Sequence, residues 1–518
     1  MIVILNYLVI LSFILCYAIT ALYDYHMFQL NSYSLWTQLK WLKANFSRGY
    51  IVRHILALPI IGIAFFDFYT AAILSSLLFL IQCFFNRPRK AKKPLVYTSR
   101  VKRMLVTNIL ILAIPVLLSF SLQAPYQIII LALGVLCTPL IVLLSNIINM
   151  PIEKGINRWY INDAKKILKS MDKLVVIGIT GSYGKTSTKY FLNKILSSKY
   201  NVLMTPESYN TPMGVVKTIR TSLKSFHEIF ICEMGAKYTG EIKEICDIVN
   251  PKYGIITSIG PQHLETFKSI ENIIKTKFEL ADALPDDGVI FLNHESDYIR
   301  NAATNKKRVS YAISPRGCNY EAKNIHVSNN GSAFDVILSG GRECHFETKL
   351  IGVHNVENIL GSIAAADYLG VDADTVAMSV RRLESVPHRL QLLNRGGMAI
   401  IDDAFNSNIN GAKMAIDVLN TFEGFKILVT PGMVELGNLQ DSCNREFGAK
   451  AAESCDYVIL VGAKQTGSIL EGLKSGNYPE EKVFIAGTIE EAFRKIESIN
   501  SKGFQKVVLL ENDLPDNY

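Results

Sequence analysis

Acidic side chains are almost missing from the first 150 residues, where Asp24 and Asp67 stand against 12 Lys and Arg, a net charge of +10. The remaining residues carry a net −2, so the chain's formal +8 belongs to one apolar third rather than to a basic surface built for nucleic acid. Charged residues make up only 19% of the 518 and hydrophobic ones 49%, which excludes a disordered chain. Cysteine pairing is also lacking. The nine Cys lie at 16, 83, 137, 232, 246, 318, 344, 443 and 455, with no CxxC and no Cys/His cluster, so neither a zinc ribbon nor a disulfide framework is expected. They read as reduced thiols in a cytosolic or membrane setting. No internal repeat is evident, which excludes a solenoid. No basic stretch follows Met1 and no small-residue cleavage site stands out, so the first apolar run reads as a span rather than a cleaved signal.

What is present begins with apolar runs at about 2–23, 69–85, 104–122 and 127–148, and a shorter one at about 51–66 that contains Pro59. Four or five membrane spans are expected within residues 1–150. Residues 86–103, NRPRKAKKPLVYTSRVKR, hold eight Lys and Arg, whereas the loop 123–126, QAPY, holds none. The basic loop is therefore assigned to the cytoplasm, and a hairpin of the last two runs returns the chain to that side at residue 150. Five spans would leave the N-terminus outside. Asp67 reads as a turn residue at the outer surface, and no pattern of intramembrane acids and bases marks a transport path. The spans read as an anchor or docking surface. Residues 151–172 mix apolar and charged positions at roughly helical spacing, as an amphipathic connector or a plain linking helix would.

From 173 onward, short β-branched runs (LVVIGIT 174–180, YGIITSIG 253–260, VIFLN 289–293, FKILVTPG 425–432, YVILVG 457–462) alternate with helix-like stretches. That alternation predicts a parallel sheet covered on both faces. The expected fold class is an α-helical membrane region followed by α/β, with domains at about 173–384 and 385–518.

The strand LVVIGIT runs into GSYGKTST, residues 181–188, and then into a helical KYFLNKILSS. Strand, glycine loop, lysine, threonine and helix together form a phosphate cradle. Gly181 and Gly184 let backbone N–H groups approach phosphate oxygens across the turn Ser182–Tyr183, the helix beginning near Ser187 presents its positive end, Lys185 adds charge, and the Thr186 hydroxyl can ligate Mg²⁺. The strict GxxxxGK[ST] spacing is not kept, because Ile179 stands five before Gly184 and the upstream glycine is Gly178.

At this loop, TGSYGKT, the chain resembles the Mur ligase superfamily. Over about 173–518 the resemblance extends, in order, through TPESYNTPMGV at 205–215, ICEMGAKYTGEI at 231–242, IGPQHLETF at 259–267 with KTKFEL at 275–280, GVHNVENILGSIAAA at 352–366, HRLQ at 388–391, IDDAFNSNINGAKMAI at 401–416 and PGMVELG at 431–437. The signatures EMGA, DDAFNSN and MVELG resemble the branch that adds D-alanyl-D-alanine to a UDP-muramyl tripeptide. The resemblance implies a P-loop central domain and a Rossmann-like C-terminal domain. It also implies an ATP-dependent ligase that phosphorylates the carboxylate of a cell-wall precursor and lets the amine of an amino acid or dipeptide attack the acyl phosphate.

The site residues implied are specific. Lys185, His263 and Lys277 would be catalytic. Two Mg²⁺ ions would be held by Thr186, Glu233, His263 and Lys277, with Lys277 carbamylated by CO₂ so that a cation becomes a carboxylate-like ligand. Glu233, at the end of a β-like run, can meet Mg²⁺ held by Thr186, whereas a lone His and a lone Lys would otherwise read as structural. ATP contacts would come from residues 181–187 and from Asn355, Asn358, Arg389 and Asp403, and substrate contacts from Asn210, Thr211 and Asn406, with the amine meeting segments 402–410 and 431–438. Departures from the family pattern are a single Asn210 with Thr211, Phe405 for Tyr, Ile409 for Pro, and His388 for glycine. The small soluble domain that grips UDP-muramyl substrates is not legible; the apolar region stands in its place. The expected setting is a multi-pass plasma-membrane protein with cytoplasmic ligase domains, near a membrane-bound cell-wall synthesis partner. The rival readings are a Mur-type ligase for another polymer and a non-catalytic nucleotide-binding scaffold or ATPase.

Overall fold

The computed structural model describes all residues except 1, 88–92, 124, 339–340, 406–407, 435, 464–465 and 514–518. Contacts divide the chain into two compact units, Met1–Trp159 and Tyr160–Leu514.

The described part of the first unit is helical. Ile2–Leu30, Phe68–Phe85 and Ser99–Ser121 are long and apolar enough to cross a membrane, and Tyr126–Leu136 with Thr138–Lys169, bent by 69°, adds a fourth candidate. The expected run at 51–66 is corrected: it is not one helix but Val52–His54 and Ala57–Ile63, entered through a π-helical turn at Phe46–Ile51. Pro59 explains the break, since its ring removes an amide donor and crowds the carbonyl of Ile55. The run at 127–148 is likewise broken at Cys137, one residue before the Thr138–Pro139 step that disfavours helical backbone. Residues 151–169 form no separate connector; they continue Thr138–Lys169 through Pro151. Phe13 and Phe79 meet edge to face at 5.9 Å in the core of this unit. Two of its buried tyrosines find partners, Tyr17 donating to Asn108 Oδ1 at 2.9 Å and Tyr25 to the Met104 carbonyl at 3.1 Å. Gln29 exchanges hydrogen bonds with both the N–H and the C=O of Val96, which holds the Leu30 end of the first helix beside the segment preceding Ser99.

The second unit is α/β. Its larger sheet has nine strands, from one edge Val202–Met204, Ile229–Glu233, Val175–Thr180, Tyr253–Ile256, Val289–Asn293, Lys307–Ala312, Tyr320–Ser328, Gly331–Ile337 and Glu343–Thr348. Pairing is parallel as far as Tyr320–Ser328 and antiparallel beyond it. The central strands are buried along their length, as a sheet covered on both faces requires. Phe191, Leu192, Ile195, Ile359 and Ile363, from helices Lys185–Leu196 and Val353–Tyr368, cover one face. Val216, Ile219, Ile245 and Leu280, from Pro212–Ser222, Glu241–Val249 and Ile270–Asp282, cover the other. The antiparallel extension was not expected; its last strand alternates exposed and buried residues, the mark of a sheet with one wet face.

A second sheet of six strands runs Gln391–Arg395, Met398–Asp403, Lys506–Glu511, Phe425–Thr430, Tyr457–Val461, Val483–Ala486. All its pairs are parallel except the first, an antiparallel hairpin turning at Gly396 and Gly397.

Candidate functional site

The glycine loop leaves the carboxyl end of Val175–Thr180, where a doubly covered sheet opens a crevice for ligands. A Cβ on Gly181 would stand 2.1 Å from Thr257 Oγ1, and one on Gly184, at φ +80°, 2.3 Å from Asn358 Oδ1, so neither position admits a side chain. The loop is tied to the segment after Tyr253–Ile256: Ser182 N–H donates to the Ser258 carbonyl and Tyr183 N–H to Ser258 Oγ, both at 2.8 Å. The Tyr183 hydroxyl donates to the Pro261 carbonyl at 3.0 Å. Lys185 opens helix Lys185–Leu196 and donates to the carbonyls of Gly181 at 2.6 Å and Ser182 at 3.0 Å. Burial, opposed by Glu233 and assisted by Arg389, lowers its pKa to about 8.

Glu233 ends the strand beside this loop, paired in register with Ile179. Its Oε1 accepts from the Thr186 hydroxyl at 3.2 Å and from Asn210 Nδ2 at 3.0 Å. Its Oε2 lies 3.0 Å from Lys189 Nζ, and the two side chains are 1% and 0% exposed. Burial pushes the carboxyl up, but the lysines at 189 and 185 outweigh it and hold it below the usual glutamate range. A carboxylate beside a hydroxyl is an oxygen donor set suited to Mg²⁺, which takes one or two carboxylates and completes its shell with phosphate and water. Among the described residues no group of three or more His, Cys, Asp or Glu that could hold a metal is found, so a Mg²⁺ here would draw the rest of its shell from phosphate or water oxygens. His263, at φ +51°, precedes the short helix Leu264–Phe267 and accepts two of its amides at 3.0 Å through its carbonyl. Lys277, on Ile270–Asp282, is 2% exposed, with its ammonium 5.9 Å from the Phe267 ring centre. Burial, joined by repulsion from Lys185 and countered by Glu241 and Glu279, drives its pKa far below the lysine range.

A cavity of about 520 Å³ extends from Tyr183, Gly184 and Ser187 past Asn355 and Asn358 to Arg389 and Asp403, bringing seven of the expected ATP residues onto one surface. Lys185, Thr186, Glu233, His263 and Lys277 do not line it. Asn358 Oδ1 accepts from the Thr188 hydroxyl at 3.3 Å, while Asn355 spends an amide proton on the Ile351 carbonyl at 2.8 Å. Arg389 lies 4.4 Å over the Phe405 ring. On either side of it His388 at φ +60° and Leu390 at φ +45° are left-handed, a backbone that glycine adopts without strain. The His388 ring and Asp402 meet at 2.8 Å. Asp403 accepts the Leu390 N–H at 3.2 Å, and burial, countered by Arg389, raises its pKa to about 6.

Thr211 caps helix Pro212–Ser222 by accepting the Gly214 N–H at 3.3 Å. Asn406 lies outside the described residues. Sequence reasoning missed Lys189, although it stands one helical turn beyond Lys185, the one available signal. It also missed Glu357 on the cavity wall, whose carboxyl burial raises to about 7 while Asn293 Nδ2 donates to it.

Two family models match the chain: the Mur ligase middle domain over residues 179–366 and the Mur ligase glutamate ligase domain over 388–510. The UDP-N-acetylmuramoyl-tripeptide–D-alanyl-D-alanine ligase of Bacillus subtilis is 31% identical over 328 residues, 61% of this chain and 70% of that protein. The enzyme of the same name from Escherichia coli is 30% identical over 312 residues, 59% and 68%. A crystal structure of MurF from Acinetobacter baumannii superposes with a TM-score of 0.63 at 26% identity, covering 70% of this chain and 78% of that one.

Proposed function

Because the chain belongs to the Mur ligase family of ATP-dependent carboxylate-amine ligases, we propose that it joins D-alanyl-D-alanine to a UDP-muramyl tripeptide in peptidoglycan precursor synthesis. The observation that carries this reading is the meeting of the glycine loop, through Tyr183, Gly184 and Ser187, with Arg389 and Asp403 on one cleft, while Glu233 lies beside the same loop in contact with Thr186. The ATP-binding domain would span about 173–384 and the amine-side domain about 385–518.

In the first step a carboxylate oxygen of the precursor attacks the γ-phosphorus of ATP and the bond to the ADP oxygen breaks. In the second the amine nitrogen attacks the acyl carbon, phosphate leaves, and the nitrogen gives up a proton. Lys185, released from the Gly181 carbonyl, neutralises a phosphate oxygen beside the amides opening helix Lys185–Leu196. Arg389 adds charge from the turn that precedes strand Gln391–Arg395, so negative oxygen developing in either step is met by fixed cations. Asn355, Asn358 and Asp403 contact the nucleotide, Asn210 and Thr211 the precursor, and Asn406 the amine. Glu233 and Thr186 would hold one Mg²⁺, and His263 with Lys277 a second; when bound, the ions neutralise the transferring phosphoryl oxygens. A carbamate on Lys277 would supply an anionic oxygen there; burial beside Phe267 favours an uncharged amine able to take up CO₂.

The first unit is proposed to be a multi-pass membrane domain, with the ligase domains cytoplasmic. The Gln29–Val96 bonds put the Leu30 end of the first helix on the side of the basic segment, which supports an outside N-terminus. Helix Leu35–Ala44 turns Trp36 and Leu39 outward together with Lys40 and Lys43, as a helix at an anionic lipid surface does. Such an anchor would hold the ligase near the membrane steps of wall synthesis and a partner enzyme there.

The test is to incubate the full-length protein with ATP, UDP-muramyl tripeptide and D-alanyl-D-alanine and weigh the product. A pentapeptide product with stoichiometric ADP supports the proposal. ATP hydrolysis that ignores the amine and yields no amide overturns it.

A further inference from the structure

Glu233 is the one acid at the loop's phosphate end that the nucleotide chemistry assigns to Mg²⁺, yet it is surrounded by cations. Lys189 is in contact with Oε2 at 3.0 Å, and Lys185 and Arg389 act on the same carboxylate electrostatically. Arg389 shares its charge with Asp403, whereas Lys189 is the cation in direct contact with the Glu233 carboxylate. Lys189 is also not a mobile group. Its side chain is wholly buried, and its ammonium also donates to the Glu207 carbonyl, so two contacts hold it at Glu233. Helix Lys185–Leu196 itself delivers it, one turn past the phosphate lysine and on the same face.

A divalent ion approaching this carboxylate alone meets an ammonium already seated on Oε2. A metal–nucleotide complex, in which several phosphate oxygens accompany the ion, is attracted instead. We infer that Lys189 is a built-in counter-ion to Glu233 that bars a bare divalent cation and makes metal entry conditional on nucleotide. The inference rests on the reading of Glu233 as a metal-holding carboxylate. It assigns a role to a residue outside the phosphate loop and gives the binding steps an order: the metal arrives with the nucleotide, never before it.

Mn²⁺ is a suitable probe, because the free ion is read directly by its paramagnetic resonance signal. Full-length protein in detergent is titrated with Mn²⁺, with and without a non-hydrolysable ATP analogue. Wild type is expected to bind Mn²⁺ at this site only with the analogue. Lys189→Met, which removes the charge but keeps the stem, is expected to bind Mn²⁺ without nucleotide roughly tenfold more tightly than wild type does. Lys189→Arg should keep the wild-type behaviour, and Lys189→Met/Glu233→Gln should lose the gain. Lys189→Gln carries the same test if the methionine variant does not fold, since it can still donate to Glu233. Equal Mn²⁺ binding by wild type with and without the analogue overturns the inference with no variant at all. So does a neutral variant that binds no better than wild type, or a gain that survives loss of Glu233. Nucleotide-dependent Mn²⁺ binding unchanged in Glu233→Gln would instead remove the reading of Glu233 as a ligand, so the two failures are distinguishable.

Discussion

At the scale of single residues the site is governed by buried charge. Lys277 is nearly sealed from solvent, and the carbamate proposed for it is separable from a structural role. Lys277→Ala is expected to lose turnover while keeping nucleotide binding, with partial rescue by formate or acetate, which can occupy the vacated anion position; full activity in the variant would sink the carbamate. Glu357 offers a second test, on stability. Its carboxyl titrates near 7 in the folded chain against an ordinary 4.5 because the cavity wall removes it from water. The folded state therefore holds this proton more tightly than the unfolded chain does, so its contribution is fully present below about pH 4.5 and fades as pH rises through 7. Glu357→Gln, which keeps an acceptor for Asn293, should melt like wild type in acid. It should exceed wild type by about 3 kcal/mol at pH 8. An unchanged difference between pH 5 and pH 8 would exclude the shift.

At the scale of elements, the glycine loop is the most exacting part. Gly184→Ala asks an L residue to adopt φ +80° and drives its Cβ into Asn358, so nucleotide affinity should fall more than tenfold and the melting temperature should drop. Calorimetric titration with ADP checks this, and adding Asn358→Ala should restore little, because the backbone conformation is unrelieved. These elements were legible because their signals are local: a β-branched run, a glycine turn and a helix adjoin in one stretch of chain, and Glu233 ends a run of the same kind. What stayed hidden depends on partners far apart in sequence. Lys189 reads as a surface lysine until Glu233, 44 positions on, is folded beside it. The antiparallel strands after Tyr320 were overlooked because an alternating half-buried pattern resembles neither the buried parallel strands nor the helices. The helix breaks at Pro59 and before Pro139 were obscured by apolarity that continues across them.

At the scale of the whole molecule, the membrane topology proposed for the apolar unit is one that labelling can read. With Asp67→Cys in an otherwise cysteine-free background, an impermeant maleimide should react from outside intact cells, whereas a cysteine at Thr98 should react only after lysis. Labelling of position 98 from outside would reverse the orientation and put the ligase on the wrong side for ATP. The cavity carries another consequence at this scale, because its two walls come from distant parts of the chain. Arg389 and Asp403 leave the ribosome roughly 200 residues after the loop they face. The strand, turn and helix that offer the loop's amides are therefore synthesised well before the side chains that face them across the cavity.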